Sequence, residues 1–139
     1  MNRTSPSPPS WELAQRLLAY ETASGNPSVT RMSAAVRVSE KLRRRLVTLA
    51  GVAGFCALLH RALALSKAQV PGLSKLSVRP DGSLEGLNEL HDDDAAQAGA
   101  MLIAELIELL TTFIGEHLTL ILIHDVWPDL AESGERTNL

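Results

Sequence analysis

The most apolar stretch of the chain, residues 101–123, reads MLIAELIELLTTFIGEHLTLILI, and the way it escapes water decides the fold. Its polar residues are few and ordered. Glu105, Glu108, Thr112, Glu116 and Thr119 follow one another at steps of 3, 4, 4 and 3. At about 100° per residue these steps draw one narrow polar stripe down a helix whose remaining circumference is apolar. Upstream, the acids of His91-Asp92-Asp93-Asp94 oppose the positive end of a helix dipole, and they read as a helix start rather than as a metal site. Downstream, Pro128 is a stop. The pattern predicts one long helix over residues 93–126, with a bend near Gly115.

A membrane span is the first alternative for this stretch. The eleven Leu, Ile and Phe residues between Glu105 and Ile123 offer roughly −3 to −7 kcal/mol towards insertion. Glu108 and Glu116 inside the segment cost about 2.5–3.5 kcal/mol each near its centre. Glu105 at its edge and His117 add to that, so the balance is near zero or unfavourable. The helix is instead expected to be wrapped by protein, either as the centre of a bundle or with one face against a second chain. Only three other helices are available and two are short, which favours homo-oligomerisation. The face expected to self-associate is Leu106, Leu110, Phe113, His117, Leu120 and His124. The two histidines lie seven residues apart, about 10 Å along the axis, too far to share one metal ion without other ligands.

The preceding sequence supplies the other helices. Residues 11–22 place Trp11, Ala14, Leu17 and Leu18 at helical spacing behind Ser10 as a cap. Pro27 or Ser28 opens a second helix to about residue 49, with Met32, Ala35, Val38, Leu42, Leu46 and Leu49 on its apolar face. Gly51 and Gly54 predict a break or tight corner, since each glycine costs roughly 1 kcal/mol in a helix interior. A third helix over residues 52–68 carries Phe55, Leu58, Leu59, Ala62, Leu63 and Leu65, and Val70-Pro71-Gly72 ends it. Leu76-Ser77-Val78 and Ser83-Leu84-Glu85 flank Arg79-Pro80-Asp81-Gly82, a turn signal that predicts a short hairpin leaning on the helices. The expected fold is mainly α: a small bundle of about four helices with one hairpin before a long, very apolar last helix. Aromatic residues make up only 4% of the chain, so the core must come from Leu, Ile, Val and Ala, which suits helix packing better than a β-sandwich. Residues 1–10 read as a disordered leader, 11–130 as one helical domain and 131–139 as a flexible tail.

Charge is divided by position. Residues 1–80 hold twelve of the thirteen Lys and Arg, and residues 81–139 hold thirteen of the sixteen acids, so a net charge of −3 hides a bipolar chain. Arg37, Lys41 and Arg44, with Arg45 on their flank, form a ridge opposite the apolar face of the second helix. Such a ridge suits a phosphate backbone or an acidic protein surface. The nucleic-acid case lacks an aromatic stacking platform and a recognition helix, and the acidic half would repel a polyanion. The acidic stripe of Glu105, Glu108 and Glu116 matches the ridge in spacing and is an alternative partner, within a chain or between chains.

No catalytic motif stands out. Gly51-Val52-Ala53-Gly54 lacks the Lys-Ser/Thr of a phosphate loop, there is no Gly-x-Ser-x-Gly elbow, and Glu105-x-x-Glu108 lacks the histidine of a di-iron motif. Cys56, the single cysteine, sits in an apolar run and reads as a small core residue. The N-terminal MNRTSPSPPS has no apolar signal core, so the cytoplasm is the expected compartment. The sequence therefore points to a non-catalytic protein-interaction or assembly module without cofactor or metal. It would bind itself and an unidentified protein. The alternatives are a nucleic-acid accessory protein using the basic helix and a protein whose last helix opens onto membranes.

Overall fold

A computed structural model describes residues 7–24, 31–86 and 92–128. Among these residues the chain is mainly α, with four helices and one two-stranded antiparallel hairpin. Helix α1 spans Pro8–Ser24, α2 Arg31–Gln69, α3 Asp92–Ile114 and α4 Glu116–Val126. A 3-10 turn, Pro71–Lys75, links α2 to strands β1 (Ser77–Val78) and β2 (Leu84–Glu85).

The two corners that make this arrangement are glycines. Gly51 (φ 82°, ψ 165°) bends α2 into two arms, residues 31–50 and 52–69, where the sequence predicts two separate helices. Gly54 stays helical, so the break falls on the first glycine of the pair. Gly115 (φ 93°, ψ 156°) does more than bend the last helix: it divides it into α3 and α4. Side-chain-bearing residues pay about 1–3 kcal/mol to hold such backbone angles, which are nearly exclusive to glycine.

Helix α3 is the centre. Ten consecutive residues, Ala98 to Ile107, are buried, so nearly three turns have no solvent face. Helices α1, α2 and α4 and the 3-10 turn all pack on it. Ala14, Leu17 and Leu18 of α1 are fully buried. So are Val38 and Leu42 from the first arm of α2, and Phe55, Leu59 and Ala62 from the second. They meet Leu102, Ile103, Leu106 and Leu110 of α3 in one core, which Leu122, Ile123 and Trp127 close from the far end. Leu49, expected on the apolar face of the second helix, is instead 70% exposed, because the chain turns at Gly51 before that side chain can reach the core. The side chain of Met32 lies outside the described residues, as do His91 and the side chains of Asp92–Asp94.

The hairpin pairs Ser77 with Glu85 and Val78 with Leu84, as the turn signal predicts. Its tip is lodged against both arms of α2. Arg43 Nη1 donates to the Asp81 carbonyl at 3.1 Å, and the half-buried Cys56 thiol lies 3.4 Å from the Pro80 carbonyl. The Asp81 carboxylate accepts the Ser83 hydroxyl and backbone N–H, and these bonds, the hydroxyl first, hold its pKa below the usual carboxylate range. This contribution is in place above the ordinary Asp pKa and is lost as pH falls through the lowered one.

Alanine at position 115 is expected to destabilise the protein by about 1–3 kcal/mol in a urea titration, even though alanine is the better helix former. Its Cβ would meet nothing within 4 Å, so the loss isolates the backbone constraint.

Candidate functional site

The basic ridge does not face outward as a unit. Glu21 of α1 is 1% exposed, and its carboxylate collects partners from α2 and from the end of α4. Lys41 Nζ lies 2.5 Å from Oε2, Arg37 Nη1 3.7 Å from Oε1, and Trp127 Nε1 donates to Oε2 at 2.8 Å. The Lys41 ammonium also stands 5.9 Å from the centroid of the Trp127 ring, within cation–π range. A buried carboxylate needs such company, because an uncompensated charge in the interior is strongly destabilising. Arg45 reaches Asp125 of α4 at 2.5 Å, with both side chains about half exposed. Arg43 binds Glu40 one turn back. Arg44 is exposed. Arg37, Lys41 and Arg45 thus tie α2 to α1 and α4, and the described contacts join none of them to Glu105, Glu108 or Glu116.

The acidic stripe is also dispersed. Glu105 is buried, 1% exposed, among the neighbours of α3. Glu108 Oε1 accepts from the Ser7 backbone N–H (3.1 Å), the Ser7 hydroxyl (2.8 Å) and the Ser10 hydroxyl (2.7 Å). This is a cap supplied from a neighbouring helix: the carboxylate sits where the free N–H groups and the positive dipole end of α1 converge. Ser10 is accordingly a first-turn residue of α1 rather than its cap. Residues 8–10, expected in a disordered leader, are helical, with proline tolerated in the first turn. Residues 1–6 of the expected leader, residues 129–130 of the expected domain and the expected tail, residues 131–139, lie outside the described residues. Glu116, beyond the Gly115 corner, is exposed. A cleft of about 250 Å³ runs between these parts, lined by Ser7, Ser10, Glu108, Thr111, Glu116 and Leu120 among others. The half-buried Glu108 carboxylate in it already accepts from three donors, a structural arrangement. Among the described residues no three His, Cys, Asp or Glu side chains gather as a metal ion would require.

The expected self-association face splits at Gly115. Leu106 and Leu110 are fully buried in the core of the chain itself, so they belong to the fold. Phe113 is 64% exposed, and Leu120 47%, while His117 and His124 are also on the surface. Leu118 (53%) and Ile121 (49%) extend the exposed set. On α4, Thr119, Leu122 and Ile123 are buried, whereas His117, Leu120, Ile121 and His124 recur at steps of 3, 1 and 3 on the opposite side. The helix is therefore apolar on both faces. Leu49 and Val52 are exposed as well. Lys41 meets Trp127 and Arg45 meets Asp125, so the first arm of α2 runs antiparallel to α4. One turn beyond that bridge on each helix come Leu49 and Ile121, both exposed.

Comparison of the chain with known protein families, characterised proteins and solved structures finds no match.

The junction at Glu21 and Trp127 is absent from the sequence-based expectations, although one signal pointed to it. Glu21 is one of only three acids in the basic first 80 residues, and an isolated acid among many cations is well placed to be shared by them. Replacing Glu21 with alanine strands the Trp127 N–H inside the protein and is expected to cost about 2–3 kcal/mol of stability, read by chemical denaturation. Arg44→Ala, on the exposed side of the same helix, should change stability by no more than about 0.5 kcal/mol.

Proposed function

We propose that the chain is a non-catalytic assembly module that self-associates through the outer face of α4 and the adjoining Phe113. The observation that carries this reading is the two-faced character of α4. One face already packs on α3, so the outer apolar face is not needed by the fold of the monomer. Phe113, Leu118, Leu120 and Ile121 are all exposed within nine residues of the chain, and exposed apolar side chains gathered in this way mark an interaction site. The engagement of Arg37, Lys41 and Arg45 within the chain weighs against a phosphate-tracking ridge and towards protein contacts.

A second reading rests on a different observation. By length and composition, residues 34–69 and 97–114 each hold an 18-residue window apolar enough to cross a membrane, and that window is 28% buried in the first stretch and 61% in the second. The apolar corner at Leu49 and Val52 belongs to the less buried one and would be its first point of contact with lipid.

Sedimentation equilibrium at high micromolar concentration is expected to give a dimer or higher assembly. Leu120→Glu should return a folded monomer with unchanged circular dichroism. Leu110→Glu should instead lose the fold, because that side chain is core. A wild-type monomer at high micromolar concentration would overturn the proposal. Co-sedimentation of the wild type with liposomes would favour the membrane reading in its place.

A further inference from the structure

We propose that the partner on α4 is a second copy of the chain, docked antiparallel about a two-fold axis between Leu120 and Ile121. The proposal rests on the self-association reading and adds its geometry. Residues 116–125 read Glu-His-Leu-Thr-Leu-Ile-Leu-Ile-His-Asp. Taken backwards, the order is again acid, histidine, aliphatic, and so inward to an aliphatic centre. The one mismatched pair is Thr119 with Leu122, and both are buried on the inner face, where no partner reaches them. Leu118 is exposed while its counterpart Ile123 is buried, so the inverted order of the outer face is carried by Glu116, His117, Leu120, Ile121, His124 and Asp125.

A two-fold axis perpendicular to a helix lays its surface on its own reverse, so each outward residue meets the mate that this inverted order gives it. In that register Leu120 meets the partner's Ile121 at the centre. At each end His117 lies across from the partner's His124, with Glu116 and the partner's Asp125 on either flank. Each end thus mixes imidazole with carboxylate, and the two helix dipoles oppose. A parallel pair would align the two helix dipoles, which is electrostatically worse.

Area decides how strong the contact is. An 11-residue helix is about 16 Å long, so a single helix pair covers less than the roughly 800 Å² per partner of a standard stable interface. Phe113, Leu118 and Leu49, outside the central stripe, make up part of the difference. The dimer is therefore concentration-dependent, with a dissociation constant in the micromolar rather than the nanomolar range.

Cross-linking reads the register directly. In a Cys56→Ser background, H117C and H124C are prepared separately and treated with a short bismaleimide, alone and mixed. The mixture should give several-fold more cross-linked dimer than either variant alone, and L120E introduced into both should abolish it. If each variant cross-links with itself better than with the other, the pairing is parallel and the antiparallel register is wrong, while self-association stands. If the wild type sediments as a dimer but neither the mixture nor the single variants cross-link, the dimer uses another surface and both readings fall. A wild type that stays monomeric removes the self-association reading, and this register with it.

Discussion

The middle of helix α3, residues 98–107, has no face that water can solvate, and the remaining elements are arranged around that fact. Burying a Leu or Ile side chain contributes roughly 1.5–3 kcal/mol, and Leu102, Ile103, Leu106, Ile107 and Leu110 are all nearly or fully buried. A chain of this length has little else to spend on covering a helix from every side. It does so by bending two of its helical stretches back on themselves. The corner at Gly51 lets both arms of α2 contribute to one core, and the corner at Gly115 brings Leu122, Ile123 and Trp127 back to it. A straight continuation of α3 would have carried those three side chains away from the bundle, about 1.5 Å per residue.

Charge then fixes how the covering helices sit. Glu21 is buried where α1, α2 and the end of α4 converge, and its hydrogen-bond and ion-pair partners come from α2 and from Trp127. Buried ion pairs add little net stability over an apolar replacement, but a mispaired carboxylate there would be costly, so the contact selects one arrangement. Glu108 does the same at the opposite end of α1, holding Ser7 and Ser10. The asymmetry of charge along the sequence is thus partly consumed in stitching the basic half to a few acids. Arg45 with Asp125 is the one described pair that joins the basic half to the acidic C-terminal helices.

The fold was legible in the sequence because apolar spacing and turn residues act locally. The hairpin at Arg79-Pro80-Asp81-Gly82, the corner near Gly51 and the interruption at Gly115 are all where those residues place them. The surfaces were much less legible. Leu110 and Leu120 look alike in a helical projection, yet one is core and the other faces water, because a single residue between them leaves helical geometry and changes the direction of the chain. The same corner separates Glu108 from Glu116, which a continuous helix would have kept on one stripe. The ridge of Arg37 and Lys41 was visible as a ridge, but its partner Glu21 lies sixteen to twenty residues away in another helix, where periodicity carries no information. Trp127 reads as a helix end, and only the packing reveals it as a buried donor to Glu21.

The outer face of α4 follows from the same constraint. To return to α3 after Gly115, the helix needs apolar residues on its inner side, and Thr119, Leu122 and Ile123 supply them. Nothing in that requirement calls for Leu118, Leu120 and Ile121 to be apolar as well. Polar residues there would leave the monomer's core untouched and would remove an aggregation liability. Glu116 and Asp125 stand at the two ends of the stripe as charges that would limit how far the proposed contact spreads. An apolar centre bounded by histidine and acid on both sides has the composition that a closed, self-limiting contact would need. Indiscriminate stickiness would not need its ends to match.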